Sequence, residues 1–429
     1  MLLTNLRREI WGGVTERLML SRRLIQLILV FCVIFCLNSD RMQLSQSEYA
    51  ASKHLFHIES WVINNILRLG FSQMINLVRN DPLSHSERLE EVEDFFQLGK
   101  SIREFQSETD LEFLGSGSES LLPSSGVSAM SPSESMIIDL RARKEKLQAS
   151  VESILAGELA LVSTEQGLSR GIGPFHVLWP PVAFRIAPVP KLLVVSPRDR
   201  IFLEDTQLLD SDISLADINL LESELSENYR KSVLVVRISG LATYPSLIAD
   251  NSSLRELLHT AAHEWLHQYW FFYPFGRSYF NSTEMTILNE TAADIAGREL
   301  GDLAYNRLKV ADPSEFLGLR LFNSNVDGFE GSMREIRFIT DELLEQGQID
   351  EAESYMEDQR ENLVNQGYYI RKLNQAYFAF HGTYAESPES VSPIAGQLHR
   401  LRRQADNVGE FIRTVAQFET YGQFTHFVE

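Results

Sequence analysis

Cysteine is nearly absent from this chain: its 429 residues contain two, Cys32 and Cys36, both inside one apolar run. No disulfide can staple the remainder, and cysteine usage names no redox compartment. The Cys32/Cys36 spacing, set among Val, Ile and Phe, does not describe a metal site. Positive charge is also short, with 39 Lys and Arg against 59 Asp and Glu, a formal net charge of -20. Such a surface repels polyanions, and no basic stretch interleaved with aromatics overrides that repulsion, so nucleic-acid partners are disfavoured. Long hydrophobic runs are scarce too. The one present, the 14 residues from Leu24 to Leu37, falls short of the roughly 20 that a spanning helix prefers.

What surrounds that run has the layout of an export signal. Arg7, Arg8, Arg17, Arg22 and Arg23 precede it and Asp40 follows. The positive-inside rule then leaves the N-terminus in the cytoplasm and the rest outside. The expectation is an exported protein whose N-terminal segment, 1–42, is a signal-anchor or a signal peptide. As an anchor it would be transmembrane and tether the protein to the membrane, with Arg22 and Arg23 snorkelling; if cleaved, it would release a secreted protein.

Beyond it, 44% apolar and 10% aromatic residues supply ample core. Apolar positions recur at helical spacing through 43–114, as in Leu55, Ile58, Val62, Ile66 and Leu69, with a break at Pro82. A Ser/Gly/Pro-rich linker, 115–135, follows, and then a helix from about Met136 to Val162. After Gly171 the stretches PPVAFRIAPVPKLLVVSP and SVLVVRISG read as strands, with an amphipathic helix over Leu215–Tyr229 between them. GLATYPSLI comes next, and Ser252 or Ser253 caps a helix carrying LRELLHTAAHEWLHQYW. Downstream of Glu284 the pattern is helical apart from loops at Pro313, Gly328 and Pro388. DELLEQGQIDEAESYMEDQR forms an ordinary helix pair. Helices, a small sheet, then helices make an α+β protein.

The chemistry sits in His263-Glu264-Trp265-Leu266-His267. Residues four apart stand one turn apart on one helix face, so both imidazoles can reach a single ion. Zinc needs a third protein ligand and a place for water. Glu290, in Leu288-Asn289-Glu290-Thr291-Ala292-Ala293-Asp294, supplies that carboxylate from a second helix. Asp294, one turn on, can fix the tautomer of a ligand imidazole. Glu264, beside the first histidine, is placed to act as general base on water without ligating. His259, one turn before His263, is either a packed residue or a fourth ligand that would close the site. His54, His85 and His426 carry no pattern.

HEWLH followed by NETAAD resembles the gluzincin zinc metallopeptidases, over roughly Val233 to Gly297. The resemblance implies Zn2+ held by His263, His267 and Glu290, with Glu264 as base and Asp294 behind His263. It implies a zincin-like catalytic domain, a small twisted sheet plus the active-site helix, over 136–300, with a helical subdomain over 301–429. It implies a peptide or protein substrate bound along an edge strand at Gly240 to Ile248. SGLATYPSL lacks the acidic residue with which aminopeptidases bind the substrate amine, which weakens an exopeptidase reading. For the oxyanion donor, LNQAYFAFHGTYAESP offers Tyr377, His381 and Tyr384. The aromatic run between His267 and Glu290 is either core or a hydrophobic subsite. Two alternatives stand beside the peptidase: a non-catalytic envelope protein with a structural or vestigial zinc site, and a zinc hydrolase of non-peptide amides or esters. The oligomeric state and the substrate sequence are not set by these patterns.

Overall fold

The computed structural model describes residues 45–66, 84–115, 132–172, 175–250, 253–308, 326–387, 390 and 392–429. The chain divides into two compact units, 1–49 and 50–429, and only 45–49 of the first is described. Among the described residues no helix is long and apolar enough to cross a membrane, which corrects the expectation of a transmembrane, membrane-anchored protein. The run that carried that expectation, Leu24–Leu37, lies outside the described residues. The residues between Gly115 and Pro132, and the loop at Pro313, also lie outside.

The fold is mixed α+β and mostly helical, with small sheets. Helix α1 is Gln46–Ala51, α2 is His85–Gly115 and α3 is Pro132–Glu165. Ser84 starts α2 with a reciprocal pair, its hydroxyl accepting from Glu87 N–H and its own N–H donating to the Glu87 carboxylate. Helices α2 and α3 pack along each other through Val92, Phe95 and Ile102 on one and Leu140, Val151, Ile154 and Leu155 on the other. The spacings Val92–Phe95, Phe95–Ile102 and Val151–Ile154/Leu155 are those of one helix face, the stripe that a helix must bury.

Strands β1 (Arg170–Ile172) and β2 (Phe175–Val177) form an antiparallel pair. A three-stranded antiparallel sheet follows, with β4 (Lys191–Pro197) between β5 (Asp205–Leu209) and β6 (Lys231–Arg237). Its two β-branched runs bury both faces. Leu193, Val195, Val233 and Val235 pack on Ile218, Leu221 and Leu225 of α4 (Leu215–Tyr229), while Val194 and Leu234 pack on Ala376. Ser214 caps α4, and Arg230 closes it with φ 55. The second sheet has the order β3-β8-β7, from Phe184–Ile186, Ser246–Ile248 and Gly240–Leu241. Here the structure departs from a single strand over Gly240 to Ile248. The chain turns back through Thr243–Pro245, so β7 pairs antiparallel with β8 and β8 runs parallel to β3.

The remaining helices are α5 (Leu254–Trp270), α6 (Pro274–Arg277), α7 (Thr283–Leu308), α8 (Val326–Glu345), α9 (Ile349–Asn365), α10 (Gln375–His381), α11 (Ile394–Gln404), α12 (Val408–Val415) and α13 (Tyr421–Val428). Gly328, expected in a loop, lies inside α8. Helices α5 and α7 pack at the centre of the largest core. Ala261, Ala262, Trp265 and Leu266 meet Ala292, Ala293, Ala296 and Leu300 there, with residues from α2, α3 and the last three helices around them. A Cβ added to Gly297 would stand 2.9 Å from the backbone nitrogen of His263, and one on Gly301 2.7 Å from that of His259. The two backbones therefore approach closely only because those positions lack side chains. That approach sets the site.

Candidate metal centre

Helix α5 begins with a capping box: Ser253 accepts from Glu256 N–H and Glu256 reaches back to Ser253 N–H. Its apolar side is buried by Leu254, Leu257, Leu258, Ala261, Ala262, Trp265 and Leu266. The face that remains carries His263 and His267, and α7 brings Glu290 and Asp294 against it. Nε2 of His263 lies 3.0 Å from Nε2 of His267. Oε2 of Glu290 lies 3.4 Å from the first and 3.7 Å from the second. These donors are the one His/Cys/Asp/Glu group among the described residues that could hold a metal ion.

Each imidazole is oriented from behind. Nδ1 of His263 faces Asp294 Oδ1 at 3.3 Å, and Nδ1 of His267 faces Asn289 Oδ1 at 3.0 Å. With a metal bound, Nδ1 would carry the proton on each ring and both Nε2 lone pairs would point to the common centre. Asp294 is itself held by Arg298 at 2.8 Å, and Arg298 also pairs with Glu386. Asn289, fully buried beside Glu290, is a candidate orienting residue to which the sequence reading gave no role. Its signal was its place in the same motif, one residue before Glu290.

The electrostatics are those of a cation site. Burial opposes ionisation of Glu290, yet the charge of His267 and hydrogen bonds from both imidazoles hold its carboxyl well below the usual range. Burial likewise works against charging His263, but Asp294 and Glu290 raise it well above its ordinary value. Glu264 is pushed up by burial, only partly offset by the two histidines. Of the three carboxylates around the two imidazoles only Asp294 pairs with an arginine among the described residues, and a divalent ion would offset the charge of the others.

The donor set also fits zinc by size. Ligands about 2.0–2.1 Å from a tetrahedral ion stand about 3.3 Å apart, and the three observed separations bracket that value. The carboxylate of Glu264 does not belong to this triangle. It rests against Gly240 of β7, where a Cβ would approach Glu264 Cγ to 2.8 Å and its Oε1 more closely still.

Two phenols complete the surroundings. Tyr279 donates to Oε1 of Glu290. Tyr384 sits with its ring 6.5 Å from that of His263, and burial followed by Glu290, Glu264 and Asp294 raises its phenol well above the ordinary value. The segment holding Tyr384 is pinned to α7, because Ala385 N–H donates to Thr291 Oγ1 at 2.9 Å. The other two aromatic candidates lie on α10. Tyr377 packs in the clusters against the β4–β6 sheet and α8–α9, and its ring lies 4.3 Å from that of His381. His259 does not join the ligands; its Nε2 meets Asp302 Oδ1 at 2.6 Å, where Arg255 also binds.

Comparison with protein-family models, curated proteins and solved structures finds no match for this chain.

Proposed function

We propose that this protein is a zinc-dependent hydrolase of peptide bonds, with His263, His267 and Glu290 as the metal ligands. The observation that carries the reading is the convergence of three donor atoms within 3.0–3.7 Å of one another beside the separate carboxylate of Glu264. Zinc bound there would supply an acidified water and polarise a carbonyl oxygen. Glu264 then takes the proton of the attacking water as the O–C bond forms, and delivers it to the departing amine as the C–N bond breaks. A carboxyl raised by burial is better matched to that shuttle than an ordinary glutamate, and such catalysis contributes on the order of 10²–10⁴-fold. Tyr384, protonated and beside the ligands, donates to the developing oxyanion.

The sheet favours a peptide as the substrate. Strand β7 lies at the outer end of the order β3-β8-β7 and its Gly240 abuts Glu264, so an extended chain paired to it would lie along the base. This matches what the gluzincin resemblance implies. A structural, four-ligand site would recruit His259, which is instead engaged by Asp302.

The test is Glu264→Gln. Zinc content should persist while hydrolysis of a quenched fluorogenic peptide library falls to background. Full turnover by Glu264→Gln would refute the mechanism. Cleavage of esters or acyl amides without cleavage of any peptide would refute the substrate class.

A further inference from the structure

The two oxygens of Glu290 have different partners. Oε2 faces the histidine nitrogens at 3.4 and 3.7 Å, whereas Oε1 accepts the hydrogen bond from Tyr279. Tyr279 belongs to neither ligand helix; it lies in the turn between α6 and α7. That turn is built to hold it. Phe275 is fully buried, and Gly276 lies so close to the Trp270 carbonyl that a Cβ has no room. Tyr279 N–H donates to Gly276 O at 3.3 Å, and its own carbonyl accepts from Thr286 Oγ1 at 2.7 Å. Its ring stands edge-on to His267 with centroids 6.1 Å apart.

A carboxylate can ligate through one oxygen or two. Ligation through two fills an additional coordination position and weakens the ion's pull on the remaining groups. A phenol donating to one oxygen occupies one of its two lone pairs, lowers that oxygen's donor strength and fixes the carboxylate plane, favouring the other oxygen as the donor. We infer that Tyr279 is a positioning residue that confines Glu290 to one-oxygen ligation of the bound metal. The inference rests on the metal-centre reading above and adds to it a residue outside both motifs. Tyr384 also approaches the Glu290 carboxylate, but it reaches the site from the segment after α10 rather than from the turn before α7.

The experiment compares cobalt-loaded wild type, Tyr279→Phe and Tyr273→Phe. The last removes another hydroxyl from the same connection, the one that donates to Tyr269 at 2.9 Å. In Tyr279→Phe the visible d–d bands should weaken and shift as Glu290 adds its second oxygen, and zinc affinity should change by about 10–100-fold. Tyr273→Phe should retain the wild-type spectrum. Tyr279→Leu is read in the same way if Tyr279→Phe does not fold. An unchanged cobalt spectrum overturns the inference whatever the affinity does, because general loosening weakens binding without adding a ligand atom. A wild type that takes up neither zinc nor cobalt overturns the metal-centre reading and this inference together. A loaded wild type whose spectrum is insensitive to residue 279 overturns this inference alone.

Discussion

Replacing Gly240 by alanine should disable the base without touching the metal ligands. The new Cβ would lie 2.7 Å from Thr260 Cγ2 and 2.8 Å from Glu264 Cγ, with Glu264 Oε1 nearer still. Ordinary contact begins at 3.4 Å, so Cγ must retreat by about 0.6 Å and the carboxylate oxygen by roughly 1 Å. Strand β7 is poorly placed to yield instead. Gly240 pairs with Ile248, and Leu247 and Ile248 are fully buried. A misplacement of that size at a reacting group costs on the order of 10²-fold. The expected outcome is therefore a kcat lowered about 10²-fold with zinc stoichiometry intact, and a folding cost of about 1–3 kcal/mol from overpacking. Peptide-hydrolysis kinetics, metal analysis and thermal melts on the same preparation measure all three. Gly331→Ala, with nothing within 4 Å of its Cβ, is the control and should be neutral or stabilising by up to about 1 kcal/mol. Gly240→Ala with undiminished kcat would refute the placement of Glu264 against β7.

Asp294→Ala should weaken zinc binding by about 10–100-fold in competition with a chromophoric chelator, because Nδ1 of His263 loses its 3.3 Å partner; unaltered affinity would show that Asp294 does not orient the ring. Tyr384→Phe should lower kcat by on the order of 10²–10³-fold while zinc content is retained, and a change confined to KM would remove it from the oxyanion role. Glu222 bears on stability alone. Burial raises its carboxyl, but hydrogen bonds from Arg371, the charge of Lys372 and the Val235 N–H together hold it below the ordinary 4.5. Its folded-state value is thus depressed, so its stabilisation is complete above the unfolded value and is lost as pH falls through the folded one. The gap in urea-unfolding free energy between wild type and Glu222→Gln should be widest near neutral pH and shrink below about pH 4.5. A gap constant from pH 7 to pH 3 would contradict that assignment.

The elements that were legible beforehand carry their determinants locally. Helix α4 has Ser214 as its cap and an amphipathic stripe, and α5 has Ser253 three residues before Glu256. The two-histidine face was legible for the same reason, since helical spacing alone aligns His263 with His267. What escaped depends on approach in three dimensions. Asn289 acquires meaning only because α7 lies against α5 at the distance that Gly297 and Gly301 permit. Tyr279 looked like one aromatic among many until the turn aimed its hydroxyl at Glu290. The sequence could not show that the segment of Tyr384 is pinned to α7, because that is done by a backbone hydrogen bond from Ala385 to Thr291. The β7–β8 pair read as one strand because both arms are apolar and the turn through Thr243–Pro245 is short.

The central claim is that one divalent ion is shared by residues from α5 and α7, and metal analysis of protein purified without added zinc tests it most directly. The account predicts one zinc per chain in the wild type and loss of that zinc in both His267→Ala and Glu290→Ala. A wild type devoid of metal under zinc-replete expression, or a Glu290→Ala protein holding zinc as tightly as before, would contradict it.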